Sequence, residues 1–120
     1  MTTQLLGLRT VIYPVDDLDA ATGWWSGLLG IEPYFREPFY VGFEVAGYEL
    51  GLLPDANPSD GALTYWGVDN VERAMADALA TGGQVHTEAS AVGDEIVTGT
   101  VRTTDGSIVG FIYNPHFEAR

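Results

Sequence analysis

The chain of 120 residues contains neither cysteine nor lysine. Without cysteine it cannot form a disulfide framework, a thiolate metal site, a cysteine nucleophile or a CxxC redox pair. Only five arginines oppose 17 aspartates and glutamates, which gives a formal net charge of −12. Nucleic-acid binding needs clustered lysine and arginine at the phosphates, so we expect no nucleic-acid partner. Such acidity keeps a protein soluble, and it also attracts cationic ligands.

Long hydrophobic runs are also missing, although hydrophobic residues make up 46% of the chain and charged residues only 18%. A bilayer-spanning helix needs about 20 consecutive apolar residues, so we expect no membrane partner. The first ten residues, MTTQLLGLRT, lack the basic and apolar regions of a signal peptide, which favours a cytoplasmic location. The length and the composition predict one folded domain over residues 1–120.

The first half of the chain has the pattern of one strand, one helix and three strands. Residues 8–15 form a β-like run that ends at Asp16-Asp17, a typical helix N-cap. A helix is predicted to follow and to end at Gly30. Three short strands are predicted between residues 33 and 54. The residues expected on the buried face of the helix are Leu18, Ala21, Trp25 and Leu28.

The second half repeats this order of elements. Residues 62–68 predict a strand, Asp69-Asn70 a cap, and Gly82-Gly83 the end of a helix. Three strands then follow, the last after an Asp105-Gly106 hairpin signal. When the halves are superposed, TVIYPVDDL at residues 10–18 lies on LTYWGVDNV at residues 63–71. The apolar stripe predicted for the second helix consists of Val71, Ala74, Met75, Ala78 and Leu79.

Three segments of the chain resemble the vicinal oxygen chelate superfamily, which contains glyoxalase I, bleomycin-resistance proteins and extradiol dioxygenases. They are PVDDLDAATGWWSGLLGI at 14–31, GVDNVERAMADALATGG at 67–83 and TTDGSIVGFIYNP at 103–115. The resemblance implies an α+β fold in which two βαβββ modules, at about 5–54 and 61–115, form a cupped mixed sheet around a cavity. It also implies a homodimer.

The resemblance implies four metal-ligand positions, on the first and last strand of each module. These positions fall on Thr10, Glu49, Leu63 and Gly110, and only Glu49 has the side chain of a good ligand. We therefore expect that the metal site is lost and that the protein has no cofactor. The two histidines, His86 and His116, lie outside these positions, and a site based on His86 is the less favoured alternative.

Strand alternation indicates which residues line the implied cavity. Glu49 shares a face with Gly51 and Leu53, whereas Leu50 and Leu52 point to the helix. Arg9 and Arg102 are possible partners of the Glu49 carboxylate, and the aromatic residues at 34, 35, 39, 40 and 43 divide between the core and a pocket wall. The predicted ligand-binding residues are Thr10, Ile12, Glu49, Leu63, Tyr65, Gly110 and Ile112.

Three functions fit this sequence. The first is a small-molecule-binding protein that resembles the bleomycin-resistance branch and takes an apolar, aromatic or cationic ligand without a metal. The second is a metal-independent lyase or isomerase in which Glu49 is the catalytic acid or base. The third is a metal-dependent lyase of the glyoxalase type or a dioxygenase, which the ligand positions disfavour.

Overall fold

A computed structural model describes residues 3–117. These residues form two compact units: an N-terminal unit of residues 10–63 and a C-terminal unit of residues 3–9 and 64–117. Each unit contains one helix and most or all of four strands, which confirms the predicted α+β class. In chain order the elements are β1 (Leu8–Pro14), α1 (Leu18–Leu29), β2 (Phe35–Glu37), β3 (Tyr40–Val45), β4 (Tyr48–Leu53), a short 3₁₀ helix (Pro58–Asp60), β5 (Leu63–Gly67), α2 (Val71–Ala80), β6 (Gln84–Gly93), β7 (Ile96–Arg102) and β8 (Ile108–Tyr113).

The N-terminal unit has the predicted βαβββ order. Strands β2, β3 and β4 form an antiparallel meander, and β1 pairs in parallel with β4. The sheet order within this unit is therefore β2-β3-β4-β1. The parallel pair places Thr10 opposite Glu49 and Ile12 opposite Gly51. A connection between parallel strands must cross the sheet, and α1 lies in this crossover.

Helix α1 begins and ends where the sequence predicts. The Asp17 carboxylate caps it by accepting a hydrogen bond from the backbone N–H of Ala20 at 3.0 Å. At the other end Gly30 adopts φ 72°, the left-handed conformation that favours glycine. The core beneath the helix consists of Val41, Phe43, Leu50 and Leu52, packed against Val11, Val15, Leu18, Ala21, Trp25, Leu29 and Val45.

The expectation that Leu28 faces this core is wrong, because 62% of its surface is exposed and Leu29 packs there instead. At about 100° per residue, Leu29 returns to within about 20° of Leu18 around the helix axis, whereas Leu28 lies about 80° away. The adjacent tryptophans divide in the same way, since Trp25 packs in the core and Trp24 is 62% exposed.

The C-terminal unit repeats the arrangement. Strands β6, β7 and β8 are antiparallel, β5 is parallel to β8, and the order within this unit is β5-β8-β7-β6. Residues 3–9 belong to this unit, and two backbone hydrogen bonds join Leu6 and Gly7 to Gly67. Helix α2 packs its apolar face on β7 and β8, and the buried residues there are Val68, Val71, Ala74, Met75, Val101 and Phe111.

One position of the predicted α2 stripe is wrong. Leu79 is 42% exposed, whereas Asp77, which the pattern leaves outside the stripe, is only 5% exposed. The buried side of α2 extends toward Asp77 because the hydroxyl of Thr3 donates a hydrogen bond to Asp77 Oδ2 at 2.8 Å. Among residues 3–117, neither helix is long and apolar enough to cross a lipid bilayer.

Candidate functional site

The candidate site lies on the face of the N-terminal sheet that points away from α1. Leu50 and Leu52 of β4 are in the core under α1, so Glu49 and Gly51 point to the opposite face, as predicted. The pairing of β1 and β4 places Thr10 and Ile12 beside them. Alternation on β3 gives the remaining members. We call this surface the Glu49 face, and its residues are Thr10, Ile12, Tyr40, Gly42, Glu44, Glu49 and Gly51.

The half-buried Glu49 carboxylate has a neutral hydrogen-bond donor on each oxygen. The phenol of Tyr34 donates a hydrogen bond to Oε2, and the hydroxyl of Thr10 donates a longer one to Oε1 at 3.5 Å. Glu44 lies directly opposite Glu49 across the β3–β4 pair, on the same face. The face therefore combines two neighbouring carboxyl groups with hydroxyl donors.

Gly42 lets Tyr34 and Glu49 approach each other. A methyl group at position 42 would lie 2.9 Å from Glu49 Oε2 and 3.0 Å from Cε1 of Tyr34. The first contact is too short for a real Cβ atom and the second is very tight, so a side chain at position 42 would displace Glu49 or Tyr34. The backbone N–H of Tyr34 also donates a hydrogen bond to the carbonyl of Gly42 at 3.0 Å, which fixes the loop before β2.

A second tyrosine covers the neighbouring glycine. Gly42 and Gly51 are paired across β3 and β4. A methyl group at Gly51 would overlap the hydroxyl and ring of Tyr40, which reaches over it from β3. Two tyrosines therefore lie over a pair of strand residues without side chains, next to the Glu49 carboxylate.

The surroundings of Tyr34 favour its neutral form. Burial of the phenol raises the pKa of Tyr34, and the hydrogen bond to Glu49 and the charge of Glu49 raise this pKa further. The residue as a whole is 62% exposed, although its hydroxyl lies against the carboxylate. The phenol of Tyr34 therefore keeps its proton across the neutral pH range and donates a hydrogen bond to Glu49.

The predicted aromatic cluster divides between two sides of the sheet. Phe43 is fully buried in the core under α1. Phe35 stands at the centre of the others, with ring centroids 6.4 Å from Tyr34, 6.1 Å from Phe39 and 6.2 Å from Tyr40. These rings continue from the Glu49 face to the exposed strand β2.

The remaining predicted ligand-binding residues lie on β5 and β8. Tyr65 pairs with Gly110, and its ring occupies the space where a side chain at position 110 would stand. Burial raises the pKa of Tyr65. Leu63 and Ile112 are buried. In the N-terminal unit the structure therefore brings Thr10, Ile12 and Glu49 together. In the C-terminal unit it places the ring of Tyr65 over Gly110.

The register shows that Glu49 and Gly110 are not equivalent in the two repeats. Val15 donates its N–H to the carbonyl of Leu53, and Val68 donates to that of Ile112 in the same way. This match makes Gly110 the counterpart of Gly51, two residues beyond Glu49. The four ligand positions that the resemblance implies are therefore not equivalent pairs in the two repeats, because Gly110 corresponds to Gly51 and not to Glu49.

The histidines and the arginines considered as partners make other contacts. His86 Nδ1 lies 2.9 Å from the hydroxyl of Thr100, and His116 Nε2 lies 2.9 Å from the carbonyl of Asp94. The Arg9 guanidinium lies 3.8 Å above the ring of Phe117. Arg102 donates a hydrogen bond to the carbonyl of Gly106 at 2.9 Å.

Sequence reasoning missed Tyr34 and Tyr40 as neighbours of Glu49. Tyr34 lies 15 residues before Glu49, in a loop where strand alternation gives no direction. The pairing of Gly42 with Gly51 was an available signal, because two facing glycines in neighbouring strands indicate close approach of large side chains.

The donors on the Glu49 face do not fit a divalent metal ion. Glu44 and Glu49 supply two carboxyl groups, and the hydroxyls of Thr10 and Tyr34 are weak ligands in their neutral form. Within residues 3–117, no three histidine, aspartate or glutamate side chains are grouped so that they could hold a metal.

Comparison with known proteins connects this architecture to one family. The family model described as Glyoxalase/Bleomycin resistance protein/Dioxygenase superfamily matches residues 7–116. The cadmium-induced protein CadI of Mycobacterium tuberculosis (strain ATCC 25618 / H37Rv) is 41% identical over 56 residues, which are 46% of this chain and 37% of that protein. The match thus spans little more than a third of the curated relative.

Solved structures show the same fold. A variant of Streptomyces coelicolor methylmalonyl-CoA epimerase in complex with 2-nitronate-propionyl-CoA has a TM-score of 0.75, with 17% identity over 98% of this chain and 100% of that chain. The Mn(II)-bound glyoxalase from Novosphingobium aromaticivorans has a TM-score of 0.76, with 18% identity over 99% of this chain and 42% of that chain. At these identities the likeness concerns the fold alone.

Proposed function

Since the chain belongs to the glyoxalase, bleomycin resistance protein and dioxygenase superfamily, we propose that it binds a small organic molecule without a metal, as the bleomycin-resistance branch does. The ligand is an apolar, aromatic or cationic compound, and the protein acts as a cytoplasmic homodimer. In the N-terminal unit the proposed ligand-binding residues are Thr10, Ile12, Glu49 and Leu63, together with Tyr34 and Tyr40. In the C-terminal unit they are Tyr65, Gly110 and Ile112.

The observation that carries this proposal is the Glu49–Tyr34 pair over Gly42. Ligand sites in proteins combine an apolar and aromatic surface with a few polar groups at fixed positions. The Glu49 face has this composition, since one carboxylate is held by a phenol and a threonine hydroxyl next to aromatic rings. The lack of three suitable ligands in the described chain supports a role without metal.

A compound screen with a matched variant tests this proposal. Apolar, aromatic and cationic compounds are screened by thermal shift, and hits are measured by isothermal titration calorimetry on wild type and Glu49→Gln. The control is Asp55→Asn, which changes the net charge equally at an exposed loop side chain. Hits that bind wild type and the control but weaken with Glu49→Gln support the proposal. Hits that bind all three proteins equally place the ligand elsewhere.

The same pair also favours a second function, a metal-independent lyase or isomerase in which Glu49 acts as acid or base. A carboxylate hydrogen-bonded to a neutral phenol can take a proton from a substrate carbon, and Tyr34 can donate one. Deuterium exchange from D₂O into carbonyl compounds with an acidic C–H, followed by NMR, tests this function. Exchange that Glu49→Gln abolishes supports it, whereas equal exchange in both proteins opposes it.

A metal-dependent lyase or dioxygenase is the third function, and the donors present on the Glu49 face count against it. Elemental analysis of the purified protein decides the matter. A stoichiometric, tightly held Ni, Zn, Mn or Fe ion would overturn the proposal of a site without metal.

A further inference from the structure

We infer that the ligand of the Glu49 face is an organic ammonium ion on an aromatic or apolar body, bound between the Glu49 carboxylate and the rings of Tyr34 and Tyr40. This inference rests on the proposed binding function and narrows it to one ligand class. Three features support it: the negative charge at Glu49, the positions of the two tyrosine rings, and the direction of the Arg36 side chain.

Glu49 brings a negative charge to this face. The contacts of its carboxylate within residues 3–117 are two neutral hydroxyls, which leave acceptor capacity on both oxygens. Glu44 lies opposite on the neighbouring strand, where Cβ atoms are about 5 Å apart. Like charges at this separation disfavour each other, and a bound cation relieves this repulsion.

The rings of Tyr34 and Tyr40 lie on the same face as Glu49. The electron-rich face of a tyrosine attracts an organic cation within about 6 Å of its centroid. Tyr34 lies over Gly42 and Tyr40 over Gly51, and these glycines are directly paired. Two rings and one carboxylate on the same face can thus surround an ammonium group, while Phe35 extends the apolar contact for the rest of the ligand.

Arg36, the arginine nearest to these rings in the sequence, is directed away from Glu49. Arg36 on β2 pairs with Val41, a core residue on the α1 side of the sheet. Its guanidinium accordingly meets Asp19 of α1 at 3.6 Å, on the side opposite Glu49. The chain contains no lysine that could take its place.

Four benzyl compounds of similar size test the inference: benzylamine, benzyltrimethylammonium, benzyl alcohol and benzoate. Binding is measured at pH 7 by NMR shift perturbation and calorimetry. We expect both cations to bind at least about 10-fold more tightly than the alcohol, because the Glu49 carboxylate attracts their charge and the tyrosine rings attract organic cations. Benzylamine alone can also donate hydrogen bonds to the carboxylate. We expect no binding of benzoate.

The variants separate the roles of the carboxylate and the rings. Glu49→Gln should weaken both cations about 10-fold or more and leave benzyl alcohol unchanged, whereas Asp55→Asn should change nothing. Tyr34→Phe keeps the ring and should cost at most about 3-fold, whereas Tyr34→Leu should cost about 3- to 30-fold, the range of a cation–π contact. Tyr48→Leu, on the α1 side of β4, is the control for loss of a ring.

The outcomes distinguish this inference from the proposed function. If benzyl alcohol binds as tightly as the cations, or if Glu49→Gln leaves cation binding unchanged, the inference is overturned while the binding function stands. If neither these compounds nor the wider screen perturb the resonances of the Glu49 face, both are overturned.

Discussion

The phenol of Tyr34 donates a hydrogen bond to Oε2 of Glu49 directly above Gly42. This contact joins a loop residue to a strand residue through a position where the sheet has no side chain. The contact therefore depends on the β3–β4 register and on the close approach that glycine allows at position 42. It also holds the carboxylate that the proposed function uses. Changes at Gly42 should reach the site without altering either functional side chain.

Gly42→Ala is the first test of this relationship. The added methyl group would lie 2.9 Å from Glu49 Oε2 and 3.0 Å from Cε1 of Tyr34, so one or both of these side chains must shift. We expect ligand binding to fall about 10-fold and the free energy of unfolding to drop by about 1–3 kcal/mol, the usual cost of overpacking. Urea denaturation and calorimetry measure the two effects.

Gly23→Ala is the matched control, because a methyl group there meets nothing within 4 Å. It lies inside α1, where alanine is favoured over glycine by about 1 kcal/mol. The control should therefore gain stability and keep its binding. Full binding by Gly42→Ala would show that the Tyr34–Glu49 contact is not needed for the ligand.

The sequence predicted the side of the sheet for Glu49 but not its partners. Alternation along β4 was sufficient because Leu50 and Leu52 have no alternative to the core. Asp17 and Gly30 likewise marked the ends of α1 through local hydrogen bonding and backbone conformation. Such features depend on neighbouring residues, so sequence patterns identify them.

Features that depend on contacts distant in the chain were missed. Tyr34 reaches Glu49 from a loop without periodicity. Asp77 is buried because Thr3 bonds to it from 74 residues away. Gly110 proved to match Gly51 rather than Glu49, since only the hydrogen-bond register fixes which positions of the two repeats correspond.

Tyr34 should make the protein sensitive to alkaline pH. Its pKa in the folded state is raised above the ordinary value of 10.0, first by burial and then by Glu49. The unfolded chain therefore loses this proton first, so the stabilisation is complete below pH 10 and is lost as the pH rises further. We expect Tyr34→Phe to show a flatter decline in stability above pH 10.

Urea denaturation between pH 8 and pH 11 measures this decline, and absorbance at 295 nm follows tyrosine ionisation. Glu49→Gln should lower the Tyr34 pKa, because it removes the charge that contributes to the shift. Tyr65 provides an internal comparison, since burial alone raises its pKa and neither substitution should change it. An identical alkaline decline in wild type and Tyr34→Phe would contradict the prediction.

The hydrogen bond between Thr3 and Asp77 should hold residues 3–9 on α2. Asp77 is 5% exposed, and its Oδ1 atom has no hydrogen-bond partner among residues 3–117. A double-mutant cycle of Thr3→Val and Asp77→Ala should give a coupling energy of about 0.5–1.5 kcal/mol, because either substitution alone already removes the hydrogen bond to Oδ2. Thermal denaturation of the four proteins measures it, and strict additivity would show that the bond contributes nothing.

Gly110→Glu should fail to create a metal site. The resemblance implied a ligand position at residue 110, whereas the register matches this residue with Gly51 and not with Glu49. The ring of Tyr65 also occupies the space that a side chain there would need. Tyr65, its partner on β5, supplies no good ligand either. We expect Gly110→Glu to lose about 1–3 kcal/mol of stability through overpacking.

Neither the wild type nor the variant should change its thermal midpoint with EDTA or with added Mn²⁺, Ni²⁺ or Zn²⁺. A rise in the midpoint with one of these ions in the variant alone would mean that Tyr65 can move aside, and a rise in the wild type would identify metal ligands beyond those on the Glu49 face.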